Sequence, residues 1–129
     1  MRTWALQPKK LVVLGTIVLV GCAGKGHDVG ATPIPKNIAL RVTNHNFLDV
    51  VIYAVCEGQR TRIGVAGGSG YTLMDVPRRL LGPGQEMRLV GDAIGSEERA
   101  VTETIVVQPG QFIELQLESS LARSSVGVY

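Results

Sequence analysis

Histidine, cysteine and tryptophan are scarce in this chain, and each shortage closes off a class of chemistry. His27 and His45 are the two histidines. Neither has a second His, a Cys or an acidic residue at a spacing used by metal sites, so no metal and no cofactor is expected. Cys22 and Cys56 are the two cysteines, too few for the disulfide framework of a small exported domain. The single tryptophan, Trp4, stands near the N-terminus and cannot serve in a folded core further along. Long apolar runs are missing too. Residues 11–20 form an apolar stretch of ten, half of the roughly 20 that a membrane-spanning helix requires.

That short stretch is informative because of its flanks. Arg2, Lys9 and Lys10 precede it, and Lys25, Gly26, His27 and Asp28 follow soon after. A basic start, a brief apolar segment and a small residue before a cleavage point make a secretory signal peptide. Leu19, Val20, Gly21 and Cys22 resemble a lipobox, the processing signal of bacterial lipoproteins. The resemblance implies that residues 1–21 are removed and that Cys22 becomes the first residue, diacylated on its sulfur. It also implies a lipid-anchored protein on the extracytoplasmic side of the cell envelope. Ala23, where an Asp often retains relatives at the inner membrane, implies the outer membrane facing the periplasm in a Gram-negative cell.

Cleavage changes the charge balance. The formal net charge of +2 includes three basic residues that leave with the signal, so ten Lys and Arg face eleven Asp and Glu in the mature chain. The basic balance disappears, and with it the electrostatic footprint that nucleic-acid binding would need. The mature length of 108 residues fits one domain.

Residues 22–36 hold several glycines and prolines and no apolar period, and read as a flexible tether behind the acylated Cys22. Period-two alternation begins at Asn37 and recurs in short runs bounded by turn residues, with no sustained helical period. Ile38, Leu40 and Val42 mark the first run, and residues 48–56 the second. Ile63 and Val65 mark a third, residues 71–76 a fourth, and Met87 and Leu89 a fifth. Residues 101–107 read as one strand with Val101, Glu103, Ile105 and Val107 on one face. In the last run Ile113, Leu115 and Leu117 face the core. The tripeptides Pro83-Gly84-Gln85 and Pro109-Gly110-Gln111 each precede a strand and suit a type II turn. An all-β, antiparallel sandwich of about seven strands over residues 37–118 is expected, of a pattern resembling immunoglobulin-like or transthyretin-like domains, with a small barrel as the competitor. Residues 119–129 read as a C-terminal tail, with one more edge strand as the alternative.

Catalytic groups do not converge in the sequence. Ser69 lies in Gly67-Gly68-Ser69-Gly70, but the glycine-flanked serine of a nucleophile elbow sits between a strand and a helix, and two strands flank this one. Asp49, Asp75 and Asp92 each stand near a strand end, where local turn bonds are common, and Glu97 and Glu98 are neighbours in a loop. His45 is read as a polar turn residue between two asparagines. Cys56 ends an apolar strand with no flanking Lys or His to lower its pKa, and reads as a small half-buried residue. Arg60, Arg62, Arg78, Arg79 and Arg88 form either a solvated surface or a patch that meets anionic lipid heads or a partner's carboxylates.

The expected function is that of a lipid-anchored, non-catalytic binding or scaffolding module. It reaches the membrane through Cys22 and binds an unidentified protein, glycan or lipid partner, with no role for nucleic acid. A small envelope hydrolase using the loop acids or Ser69 is the alternative.

Overall fold

Period-two alternation of apolar side chains builds nine strands in the computed structural model, which describes residues 33–129. They are β1 (Asn37–Asn44), β2 (Val50–Cys56), β3 (Gln59–Ala66), β4 (Gly70–Pro77), β5 (Glu86–Ala93), β6 (Arg99–Val101), β7 (Ile105–Val106), β8 (Ile113–Leu117) and β9 (Ser125–Val128). Cys22, the lipobox and all of the tether before Pro33 lie outside the described residues. One sheet has the order β4-β1-β8-β9; the other has the order β3-β2-β5-β6, with β7 also paired to β5.

The two sheets face each other across a core of inward side chains. Ile38, Leu40 and Val42 of β1, Val50 and Ile52 of β2, Leu89 of β5, and Ile113, Leu115 and Leu117 of β8 are all buried. Burying each such side chain contributes roughly 1.5–3 kcal/mol before entropy is counted. Gly91 lies in the same layer because a Cβ there would come within 2.8 Å of Val50 Cγ1. The core extends from Ile38 to Leu121, so the compact unit Pro33–Tyr129 carries its whole core and folds as one piece.

Local chemistry explains how β2 and β3 are placed. Cys56 pairs with Gln59, and between them Glu57 and Gly58 have φ of 51° and 78°, the two left-handed residues of a type I′ hairpin turn. Further along, the register slips between Ile52 and Tyr53, where Gly64 pairs with Ile52 and Arg62 with Tyr53. Ile63 is the extra residue of a β-bulge. Without that bulge, a strand with Val65 outside would turn Arg60 and Arg62 toward the core, because successive side chains alternate faces.

The two-sheet, all-β sandwich is what the alternation predicts, but four details differ. First, residues 101–107 are two short strands. Thr102 is buried; its hydroxyl accepts a hydrogen bond from the Leu89 N–H at 2.9 Å and donates one to the Glu103 carbonyl at 2.8 Å. A side chain thus replaces a ladder bond, the phase shifts, and Val101 is exposed while Ile105 and Val107 are buried. Second, β8 runs parallel to β1. The chain has by then laid down the whole second sheet, and a connection of that length permits parallel pairing. Third, the segment read as a tail is structural. Leu121 enters the core and β9 pairs antiparallel with β8, Ile113 opposite Val128, so the sandwich does not end at residue 118. Fourth, the repeated tripeptide makes two different turns. Gly110 has φ 88° and the Gln111 N–H donates to the Gln108 carbonyl at 3.1 Å, as a type II turn requires. In the earlier copy the positive φ, 61°, falls on Gln85. The Gln85 carbonyl accepts from the Val107 N–H at 2.9 Å and its side chain accepts from Arg78 Nη1 at 3.0 Å, so tertiary partners select the turn.

Candidate functional site

Charge is distributed unevenly over the two outer faces, and the strand register shows why. On the five-stranded sheet, Arg60 and Arg88 lie on either side of Val55. In the next row Arg62, Tyr53, Val90 and Val101 are cross-strand partners, and in the third Val65, Val51, Asp92 and Arg99. Paired residues share a face. Residues 33–129 contain nine Lys and Arg and ten Asp and Glu; this outer face holds four of the cations and two of the acids, Asp92 and, at the start of β5 opposite the exposed Val106, Glu86, a local excess of +2 on a domain of nearly balanced charge.

Asp92 organises part of the face. Arg60 reaches across Tyr53, its guanidinium 3.7 Å from the ring centroid, and Nη2 donates to Asp92 Oδ2. Arg99 Nε donates to Asp92 Oδ1 at 2.7 Å. Partial burial pushes the Asp92 carboxyl up, but the hydrogen bonds and positive charge of Arg60 and Arg99 outweigh it and hold the group below its ordinary range. The carboxylate is thus saturated by two arginines. Arg62 and Arg88 are exposed and have no ion-pair partner among the described residues. The rim carries Glu57 in the β2–β3 turn at one end and Glu97 and Glu98 in the β5–β6 turn at the other.

The arginines read from the sequence therefore divide. Arg60, Arg62 and Arg88 come together, while Arg78 and Arg79 follow β4 in a single turn of 3-10 helix, Arg78–Leu80. Arg78 clamps a loop: Nη1 donates to Gln85 Oε1 at 3.0 Å and to the Val107 carbonyl at 3.3 Å. Arg79 lines a hollow of about 330 Å³ with Cys56, Leu80 and Leu81. Sequence reasoning misses Arg99 and Tyr53 and weighs Asp92 with the strand-end acids instead of the arginines. Asp92 is read from sequence as a turn residue, whereas β5 continues to Ala93, and its parity with Arg88 and Val90 was the available signal.

The remaining candidates scatter over the molecule. Asp75 lies on the outer face of the other sheet, opposite Ala39. Asp49 accepts from the Gly68 N–H at 2.8 Å, holding the β3–β4 loop. Glu98 accepts from Asn46 Nδ2 at 3.2 Å, and Glu97 is exposed beside it. Ser69 and His45 both line an open hollow of about 450 Å³. Their hydrogen bonds there run through the backbone, Ser69 N–H to the Asn46 carbonyl at 2.8 Å and His45 N–H to the Leu117 carbonyl at 2.7 Å. No hydrogen bond joins the serine hydroxyl to the imidazole, the contact by which a base activates a nucleophile. Cys56 is half-buried, and desolvation, followed by the charges of Glu57 and Glu86, pushes its thiol up, away from the reactive thiolate. Among the described residues no group of three His, Cys, Asp or Glu is placed to hold an ion.

No protein-family model and no curated protein matches the chain. Among solved structures, a protein from Eubacterium rectale determined by NMR is similar at 16% sequence identity, with a TM-score of 0.44, over 77% of this chain and 94% of its own.

Proposed function

We propose that this is a lipid-anchored binding module of the cell envelope, held by Cys22 and presenting the outer face of the five-stranded sheet to a partner. One observation carries the reading. Four of the nine cations of residues 33–129 gather on one sheet face with two acids, Asp92 and Glu86, among them, although a solvated surface of balanced charge has no need to sort its signs. An exposed strand side such as Val101, 55% accessible, adds apolar contact between the arginines. Capture by such a face needs position more than chemistry, and a lipid anchor supplies position.

Crosslinking tests it. A photoreactive residue at position 101 in the native membrane should capture a partner that the same residue at position 73, on the opposite sheet, does not. Equal capture from both positions would sink the assignment. The anchor has its own test, since Cys22→Ala should incorporate no labelled fatty acid. A hydrolytic role is the second reading, favoured by His45 and Ser69 sharing one hollow. Ser69→Ala or His45→Ala would then abolish the cellular phenotype with stability unchanged.

A further inference from the structure

The arginine face is small and incompletely paired, and these two properties together define its partner. Four strands spaced about 4.8 Å apart and three rows of outward side chains cover roughly 15 by 17 Å. That is about a third of the ~800 Å² that each side of a stable protein interface buries. A protein partner would have to extend well past the face, onto the rims where Glu57, Glu97 and Glu98 stand. A plane of anionic headgroups needs no such extension. It meets a small cationic surface through individual basic residues, each worth little, whose contributions add close to the membrane.

The unpaired charges point the same way. Asp92 neutralises part of Arg60 and Arg99, and Arg60 lies over the Tyr53 ring. Arg62 and Arg88 are left free to reach outward, on either side of β2. Arginine forks bind phosphate oxygens in pairs.

Chain length permits the contact. From Cys22 to Pro33 is eleven residues, a reach of at most about 36–40 Å when extended, against about 10 Å between the two sheets. A chain held at Cys22 can therefore enter β1 in the four-stranded sheet while the five-stranded sheet lies on the bilayer. We infer that the outer face of the five-stranded sheet docks on the anionic phospholipid surface of the membrane that holds the anchor. The inference rests on the anchored binding module proposed above and names its partner.

Vesicle co-sedimentation of residues 33–129, the unit that carries the whole core, tests this without the lipid. The domain should bind phosphatidylcholine vesicles containing phosphatidylglycerol and ignore phosphatidylcholine alone. Each arginine contributes about five-fold, so Arg62→Gln with Arg88→Gln should weaken binding about 30-fold while the circular dichroism spectrum stays unchanged. Salt of about 1 M, where the Debye length is about 3 Å, should abolish it. Arg41→Gln, on the other sheet, should leave it intact. Binding that is indifferent to phosphatidylglycerol, or equal in the double variant, overturns the inference, as does capture of polyglutamate in place of the vesicles, which would indicate an acidic protein partner. Fatty-acid labelling of the full chain reads the anchor separately, so failure of one reading leaves the other standing.

Discussion

On the four-stranded sheet a single outward arginine, Arg41, pairs with Glu114 at 3.5 Å and lies 4.3 Å over the ring of Phe112, which stacks in turn on Tyr129. Asp75 and the exposed Leu73 and Tyr71 complete that face. On the five-stranded sheet two of four arginines pair with Asp92 and two are left without an ion-pair partner. Both faces come from strands with the same alternation of apolar and polar residues, so the alternation explains burial and says nothing about charge. What separates the signs is which strands become neighbours, together with one inserted residue, Ile63, that sets the phase of Arg60 and Arg62.

The largest effect on both faces comes from the core between them. Leu115 is 1% exposed between the sheets, and Leu115→Asp places an unpaired charge there at a cost of several kcal/mol. Both faces should vanish together, with loss of β circular dichroism and of dispersed amide resonances. Leu121, equally buried, belongs to the segment that the sequence reads as a tail. Leu121→Ala should cost about 2–5 kcal/mol in urea unfolding, whereas a true tail residue would cost nothing measurable.

Smaller changes sharpen the contrast between the faces. Glu57 holds φ 51° in the β2–β3 turn, a left-handed position that costs a side chain about 1–2 kcal/mol and that Asn tolerates best. Glu57→Asn should therefore raise stability by about 1 kcal/mol, and it also removes an acid from the rim of the arginine face. Asp92→Asn should lose about 0.5–1 kcal/mol, since its arginine partners are partly exposed. The Asp92 carboxyl is held low in the folded protein. Its stabilising contribution is thus fully present above the ordinary carboxylate pKa near 3.9 and is lost as pH falls through the lowered folded value. Thermal melts below about pH 4 should accordingly depend less steeply on pH in the Asn variant. The smallest effect belongs to the other sheet, where Glu114→Gln removes an exposed pair worth under about 0.5 kcal/mol. A drop in melting temperature as large as that of Asp92→Asn would show that the two faces are organised alike.

How much was readable follows from range. Ile38, Leu40, Val42, Ile113, Leu115 and Leu117 were assigned to the core by period two, and all are buried. Thr102 was misplaced because a buried hydroxyl that stands in for a backbone ladder bond leaves no trace in hydropathy. β9 stands only as the alternative to a tail in the sequence because Val126 and Val128 alternate with Ser125 and Gly127 over just four residues, too short a run to outweigh a terminal position. Period two puts Arg60 and Arg62 on one strand face, but nothing local separates them and Arg88 from Arg78 and Arg79 of the following connection, or adds Arg99 to them.

By itself the sequence determined an all-β chain, most strand positions and the inward set, because these depend on residues one and two places apart and on the turn chemistry between them. Tertiary structure alone decided that β8 lies parallel to β1, that Leu121 closes the core, that two copies of Pro-Gly-Gln turn differently, and that arginines from β3 and β6 meet at Asp92 of β5. Each of those outcomes depends on contacts between residues far apart in the chain, whose free energies add up across the whole sandwich and are not written in any local window.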